Sequence, residues 1–162
     1  MQLKDVKFER AVVEDAFRLM EIHQLCFRND FDKYGECPSY IEKVDDMISK
    51  ILNSICYKMV YRDLIIGSME VYKRDHSHYH LYTICVHPEF QNMGIGQRAV
   101  RFLFKNHPDI TFWTLVTPID SYRNRYFYEK LGFRQTEKKV HSEKLTLIKY
   151  EIKIDNQMKI SF

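Results

Sequence analysis

The sequence predicts a mixed α/β fold, a central mixed sheet with helices on both faces, in the order β-α-α-β-β-β-α-β-α-β-β. Three observations predict it. Leu81–Val86 is apolar or β-branched almost throughout, as a strand covered on both faces must be. Gly94-Ile95-Gly96 then opens a helix whose apolar positions Ile95, Ala99, Phe102 and Leu103 repeat at the spacing of one buried face. A further β-rich run, Thr111–Val116, follows, so the unit calls for a right-handed parallel crossover.

The elements follow in order. Val6–Ala11 suits a first strand. Glu14 and Asp15 put negative charge where the dipole of a starting helix favours it, and Ala16, Leu19, Met20, His23, Cys26 and Phe27 form that helix's buried face. His23 reads as a packed, hydrogen-bonded core residue. Arg28–Pro38 reads as a loop. Ser39-Tyr40-Ile41-Glu42 has the pattern of a capping box opening a helix with Ile41, Val44, Ile48, Ile51, Leu52 and Ile55 on one stripe. Tyr57–Tyr61 and Ile65–Tyr72 flank Arg62-Asp63-Leu64 as a hairpin. Pro88, which lacks an N–H, ends the central strand. Ser121 and its neighbours cap a helix from about Tyr122 to Leu131, which Gly132 stops in the left-handed conformation. Phe133–Val140 and Leu145–Ile154 form a last antiparallel pair. Residues 155–162 read as a tail, and no linker or repeat divides residues 1–162.

Composition narrows the function. Lys and Arg number 25 against 22 Asp and Glu, a net charge of +3, so nothing points to a nucleic-acid partner. No apolar run approaches membrane-spanning length, so no membrane partner is expected. The four cysteines show no Cys-x-x-Cys spacing and read as reduced thiols of a cytoplasmic protein. His76, His78 and His80 alternate along one strand, but no motif places a carboxylate beside them, so no metal is expected.

The glycine loop is the centre of the functional reading. Gly94 and Gly96 let the backbone turn and leave no side chain before its N–H groups. The helix start then presents free donors and a positive dipole end to an anion, best a phosphate. The loop lacks the P-loop lysine and the third glycine of the dinucleotide fingerprint. What it has is Gln91-x-x-Gly94-x-Gly96, followed downstream by Tyr128-Glu129-Lys130-Leu131-Gly132-Phe133. In this order the two motifs resemble those of the GNAT-type N-acetyltransferases, over roughly Val6–Ile154.

The resemblance implies that the central strand and the next one splay apart around the pantetheine arm of acetyl-CoA. Backbone groups of Ile84 and Val86 would bind that arm. The loop from Gln91 through Asn92, Met93, Gly94, Ile95, Gly96 and Gln97 would cradle the diphosphate. Tyr128 matches the tyrosine that would protonate the leaving thiolate, and Asn124 lies one turn before it. The family often has an asparagine where Ser121 stands, so Ser121 or Asn124 takes over that contact. Counting back from Gln91, His80 takes the place of the glutamate base of the histone-acetylating branch. Strand alternation groups His80 with Tyr82, Ile84 and Val86, and Glu70 is the competing base. Tyr34, Glu36, Glu70, Tyr72, Tyr82 and Thr117 would line the acceptor side, with Glu36 and Glu70 suited to a cationic amine. Arg98, Arg101 and Lys105 read as one exposed helix face near the adenosine 3′-phosphate.

The implied activity is acetyl transfer from acetyl-CoA to a primary amine of a small molecule or peptide, by direct attack in a ternary complex. A non-catalytic acyl-CoA-binding sensor or regulatory module would keep the loop but need neither Tyr128 nor a base. The acceptor's identity stays open, as does the choice between monomer and homodimer.

Overall fold

The computed structural model describes residues 3–162. Seven strands form one sheet in the order β1-β2-β3-β4-β5-β7-β6. They are β1 (Val6–Arg10), β2 (Ile55–Tyr61), β3 (Leu64–Lys73), β4 (His78–Val86), β5 (Phe112–Pro118), β6 (Arg134–Val140) and β7 (Thr146–Lys153). The helices are α1 (Ala16–Tyr34), α2 (Pro38–Ile41), α3 (Val44–Asn53), α4 (Ile95–Asn106), α5 (Tyr122–Lys130) and α6 (Asn156–Ile160). No helix of the described residues is long and apolar enough to cross a membrane.

The two faces of the sheet carry separate cores. On one, Ile95, Ala99, Val100 and Leu103 of α4 and Tyr128 of α5 pack on Met69, Val71, Leu81, Trp113 and Leu115. On the other, Ala16 and Leu19 of α1 meet Met47 and Ile51 of α3 over Cys56. The β2–β3 turn has Arg62 at φ 46° and Asp63 at φ 66°, the left-handed pair whose twist matches a tight hairpin. At Gly67 a Cβ would stand 2.4 Å from the Cys85 carbonyl oxygen, so β3 and β4 approach this closely only through glycine.

Three expectations are corrected. First, α1 runs on to Tyr34 instead of giving way to a loop at Arg28. Phe27, Phe31 and Tyr34 prolong its apolar spacing, and Gly35 at φ 74° stops it. Second, two helices form where the stripe from Ile41 to Ile55 suggests one. Glu42 and Lys43 are extended between them. The Ser39–Glu42 capping box gives way because the Glu42 carboxylate turns inward to His23 and Lys50. Asp46 instead accepts from the Lys43 N–H at 2.7 Å. Third, the tail is not free: Asp155 caps α6 by accepting from the Met158 N–H at 2.8 Å. Phe162 then packs 5.1 Å from the Phe104 ring.

Candidate active site

The sheet forks at its centre. β4 and β5 pair in parallel over only His78–Phe112, Tyr79–Trp113 and His80–Thr114. Beyond that point β4 keeps β3 on one edge and has no partner on the other. Because the His87 N–H points to Ile66 of β3 at 2.7 Å, alternation turns the N–H and C=O of Ile84 and Val86 into the gap. The Val86 carbonyl already accepts from Gln91 Nε2 at 2.8 Å and from the Cys26 thiol at 3.3 Å. Ile84 is thus the freer of the two backbone positions expected to hold an extended ligand.

The glycine loop crosses one end of the gap. Asn92 at φ 61° and Gly94 at φ 77° make two left-handed turns, and Gly94 caps α4. The first helical bond is Arg98 N–H to the Gly94 carbonyl at 3.2 Å. Among the described residues, the N–H groups from Asn92 to Gln97 have no backbone acceptor, as expected of a helix start. Ile95 is buried beneath the loop, and Met93 lies exposed on it. Gly96 is needed for packing as well as for access: a Cβ there would meet the Phe127 ring at 3.2 Å. One contributor escapes the sequence motif. Arg123, in the first turn of α5, donates to Gln91 Oε1 at 2.9 Å and to Asn92 Oδ1 at 3.1 Å. Its guanidinium adds a full positive charge to the row of N–H dipoles, so the residues present fit a diphosphate. Arg98, by contrast, does not share an exposed face with Arg101 and Lys105. It donates to the Val6 carbonyl at 3.3 Å and lies over the Phe8 ring.

Tyr128 projects from α5 into the core on the α4 side, edge-on to Phe127 and Phe133. Burial raises its phenol well above the ordinary range. No group among the described residues hydrogen-bonds its hydroxyl. Asn124, one turn earlier, donates to Thr117 Oγ1 at 3.2 Å. Thr117 is therefore turned towards α5, away from the other residues expected on the acceptor side. Ser121 stands at the N-cap of α5 but makes no side-chain cap bond.

The opposite face holds those other residues. The β3–β4 register shifts between Glu70 and Val71, which pair with Thr83 and Leu81, so Tyr82 is the extra residue of a bulge. The bulge breaks the alternation expected to carry His80 onto the face of Ile84 and Val86. His80 instead shares its face with Thr83 and Cys85. It is bonded through Nδ1 to Thr114 Oγ1 at 2.9 Å, and His78 Nε2 reaches the same oxygen at 2.8 Å. Burial, with Arg74 and His78 nearby, lowers the His80 pKa to about 4, which makes it a weak base at neutral pH.

Glu70 is 2% exposed. Its Oε1 accepts from the Tyr72 hydroxyl at 2.6 Å. Its Oε2 lies 3.2 Å from Lys50 Nζ, an ion pair whose angle is too poor for a hydrogen bond. Lys50 also donates to Glu42 Oε2 at 2.6 Å and stands over the Tyr82 ring. Sequence reasoning missed Lys50. The clue lay in its spacing, since Met47 and Ile51 beside it on α3 are buried and a lysine among them must find a partner.

Around the rim, Tyr34 donates to Asp120 Oδ1 at 2.5 Å, and Lys33 pairs with Asp120 Oδ2 at 2.8 Å. Burial and then Asp120 push the Tyr34 phenol up to about 12. Glu36 pairs with His141 at 3.4 Å and so joins the end of α1 to the β6–β7 loop. Tyr34 and Glu36 line an open cavity with Ser142, Glu143 and Lys144. The structure thus brings Glu70, Tyr72 and Tyr82 together on the α1–α3 side. Gln91–Gln97, Asn124 and Tyr128 gather on the α4–α5 side, and His80, cross-strand from Tyr72, is engaged by Thr114.

Comparison with known proteins agrees with this geometry. No curated protein sequence is significantly similar to the chain. Among solved structures, an acetyltransferase of Thermus thermophilus superposes with a TM-score of 0.77 at 14% identity, covering 95% of this chain and all of its own. The PaiA N-acetyltransferase of Thermoplasma acidophilum, crystallised with coenzyme A, gives 0.76 at 16% identity over 92% of this chain and 99% of its own. A chimera of the Vibrio cholerae spermidine N-acetyltransferase SpeG with the human enzyme gives 0.75 at 13%, over 92% and 95%. At such identities the likeness is one of fold. The sequence profile of the acetyltransferase (GNAT) domain matches residues 53–135, which run from the end of α3 through the fork and the glycine loop to the start of β6, and the chain belongs to the GNAT acetyltransferase family.

Proposed function

We propose that the protein transfers the acetyl group of acetyl-CoA to a primary amine of a small molecule or peptide, by direct attack within a ternary complex. The observation that carries this reading is the fork. Two central strands part, a row of N–H groups without a backbone acceptor among the described residues stands at one end of the gap, and Tyr128 is buried on the α4–α5 side with no partner for its hydroxyl among the described residues. Acetyl-CoA supplies the thioester. The residues around it bind, orient and donate.

Asn92 to Gln97 hold the diphosphate through backbone N–H groups, with Arg123 beside them and Gln91 fixing the loop to Val86. Ile84 offers N–H and C=O to the pantetheine amides. Asn124 fixes the wall of the gap through Thr117. The phenol of Tyr128 stays protonated at neutral pH, because burial raises its pKa. It can donate its proton as the thiolate departs. The acceptor enters from the other face, past Tyr34, Glu36, Tyr72 and Tyr82. Carboxylates and aromatic rings there favour a cation. Several structural relatives are crystallised with CoA or acetyl-CoA, and one is a spermidine N-acetyltransferase. These support both the cosubstrate and an amine as acceptor.

The test is thiol release from acetyl-CoA against a panel of polyamines, aminoglycosides, amino acids and peptides. Release that depends on an amine is expected. Tyr128→Phe should lower kcat by about 10²-fold and leave the Kd for CoA within a factor of about two, since its hydroxyl acts only as the thiolate leaves. Tight CoA binding with no amine-dependent release would overturn the reading.

A further inference from the structure

A line of polar contacts runs through the α1–α3 face of the sheet, and acetyl transfer as described above leaves it without a role. The Tyr72 hydroxyl donates to Glu70, Glu70 faces Lys50, Lys50 donates to Glu42, and Glu42 is bonded to His23 Nδ1. His23 Nε2 meets Ser68 Oγ at 2.7 Å, and Ser68 Oγ lies 3.5 Å from Cys85 Sγ. Glu42, Glu70 and His23 are all buried. Lys50 and the Tyr72 end are partly exposed. Tyr72 stands edge-on to Tyr82 at 5.5 Å, and Tyr82 is 44% exposed at the bulge, just past the last β4–β5 pair. Charges buried in this way seldom stabilise a fold better than apolar side chains would. A carboxylate behind a hydroxyl, next to a ring at the fork, is an arrangement for moving a proton.

We propose that Tyr72 is the residue through which the acceptor ammonium loses its proton, with Glu70 behind it as the proton's destination. The proposal rests on the acetyl-transfer reading and assigns the step that this reading leaves open. One N–H bond of the ammonium breaks as an O–H bond forms at the Tyr72 oxygen. The proton already on Tyr72 passes to Glu70 Oε1, so the carboxylate becomes a carboxylic acid and the phenol is unchanged. The freed nitrogen pair attacks the thioester carbon. A second N–H proton leaves with the thiolate by way of Tyr128, and Glu70 later returns its proton to solvent. Overall, ammonium and thioester give amide, thiol and one proton.

The surroundings fit this role. Lys50 of α3, Glu42 before it, His23 of α1, Cys56 of β2 opposite Glu70, and His80 and Tyr82 of β4 are the titratable groups facing the pair. Lys50 is shared between two carboxylates, so neither holds it alone. Its contact with Glu70 is the poorer one, which leaves Glu70 Oε2 without a hydrogen-bond partner among the described residues. His80, the other candidate on this face, is engaged by Thr114.

The experiment compares wild type, Tyr72→Phe and Glu70→Gln in amine-dependent thiol release from pH 6 to 10, with CoA binding measured by calorimetry on the same samples. Tyr72→Phe should lose about 10²-fold in kcat/KM for the amine at pH 7. Its rate should climb log-linearly with pH up to the amine's own pKa, because only the already neutral amine reacts. Glu70→Gln should show the same profile, and CoA affinity should hold in both. A Tyr72→Phe enzyme with the wild-type pH profile would overturn the relay and leave acetyl transfer standing. Wild type that binds CoA but releases thiol with no amine would overturn acetyl transfer itself.

Discussion

Arg123 shows what a single side chain adds to a site built from backbone. The N–H groups at the start of α4 are dipoles of fixed direction, strong only within about a turn of the helix end. A guanidinium brings a full charge and planar donors matched to phosphate oxygens. Arg123 is already held on the lip of the loop by Gln91 and Asn92, so little further ordering is needed when an anion arrives. Arg123→Ala should weaken CoA binding about tenfold, or roughly 1.4 kcal/mol. The salt dependence of binding should become shallower, because a charge–charge contact has been removed. Calorimetry at two ionic strengths checks both. An unchanged Kd would show that the backbone donors suffice.

At the scale of elements, α3 illustrates how a helix can be chosen by its polar residues as much as by its apolar ones. Val44, Ile48 and Ile51 of the stripe are legible in the sequence, as is the glycine loop before α4 and the glycine that ends α5, whereas Ile41 and Leu52 of that stripe are exposed and Met47, outside it, is buried. What the sequence hid were events decided by partners far along the chain. Glu42 breaks one expected helix into two because His23 and Lys50 claim its carboxylate. The extra residue Tyr82 in β4 reverses the parity that placed His80, and no local pattern announces a bulge. Arg123 sits outside both motifs and reaches the loop only once α5 has docked. Motif residues on one local turn were therefore readable, whereas residues joined across faces were not. Lys50 gives the measurable consequence. Its removal leaves Glu42 and Glu70 buried with less countercharge, so Lys50→Met should cost about 3 kcal/mol of stability in urea unfolding. Adding Glu70→Gln should recover part of that loss, whereas independent contributions would simply add.

For the molecule as a whole, the half-buried His80 and the buried His23 act on stability with opposite signs. In His80, burial, with Arg74 and His78 next, holds the folded pKa down at about 4, below the ordinary 6.5. The unfolded chain then binds more protons than the folded one between these values. The His80 contribution is complete above pH 6.5 and disappears as pH falls through 4. His23 has the reverse sign. Burial opposes its charge, but the Cys85 thiolate, favoured by a pKa held well below the ordinary thiol value, and the Glu42 carboxylate outweigh it and raise the folded pKa to about 10. Its contribution is complete below pH 6.5 and disappears as pH rises through 10. The two windows meet near pH 6.5: His80 contributes an acid limb below it and His23 an alkaline limb above it, while Cys85, whose folded pKa is held well below the ordinary value, contributes with the sign opposite to His23. His23→Gln should flatten the alkaline limb, and His80→Gln the acid limb between pH 6.5 and 4. Urea midpoints taken every half unit of pH on wild type and both variants would show this, and a His23→Gln curve parallel to wild type from pH 7 to 9 would rule out a charged His23 in the core.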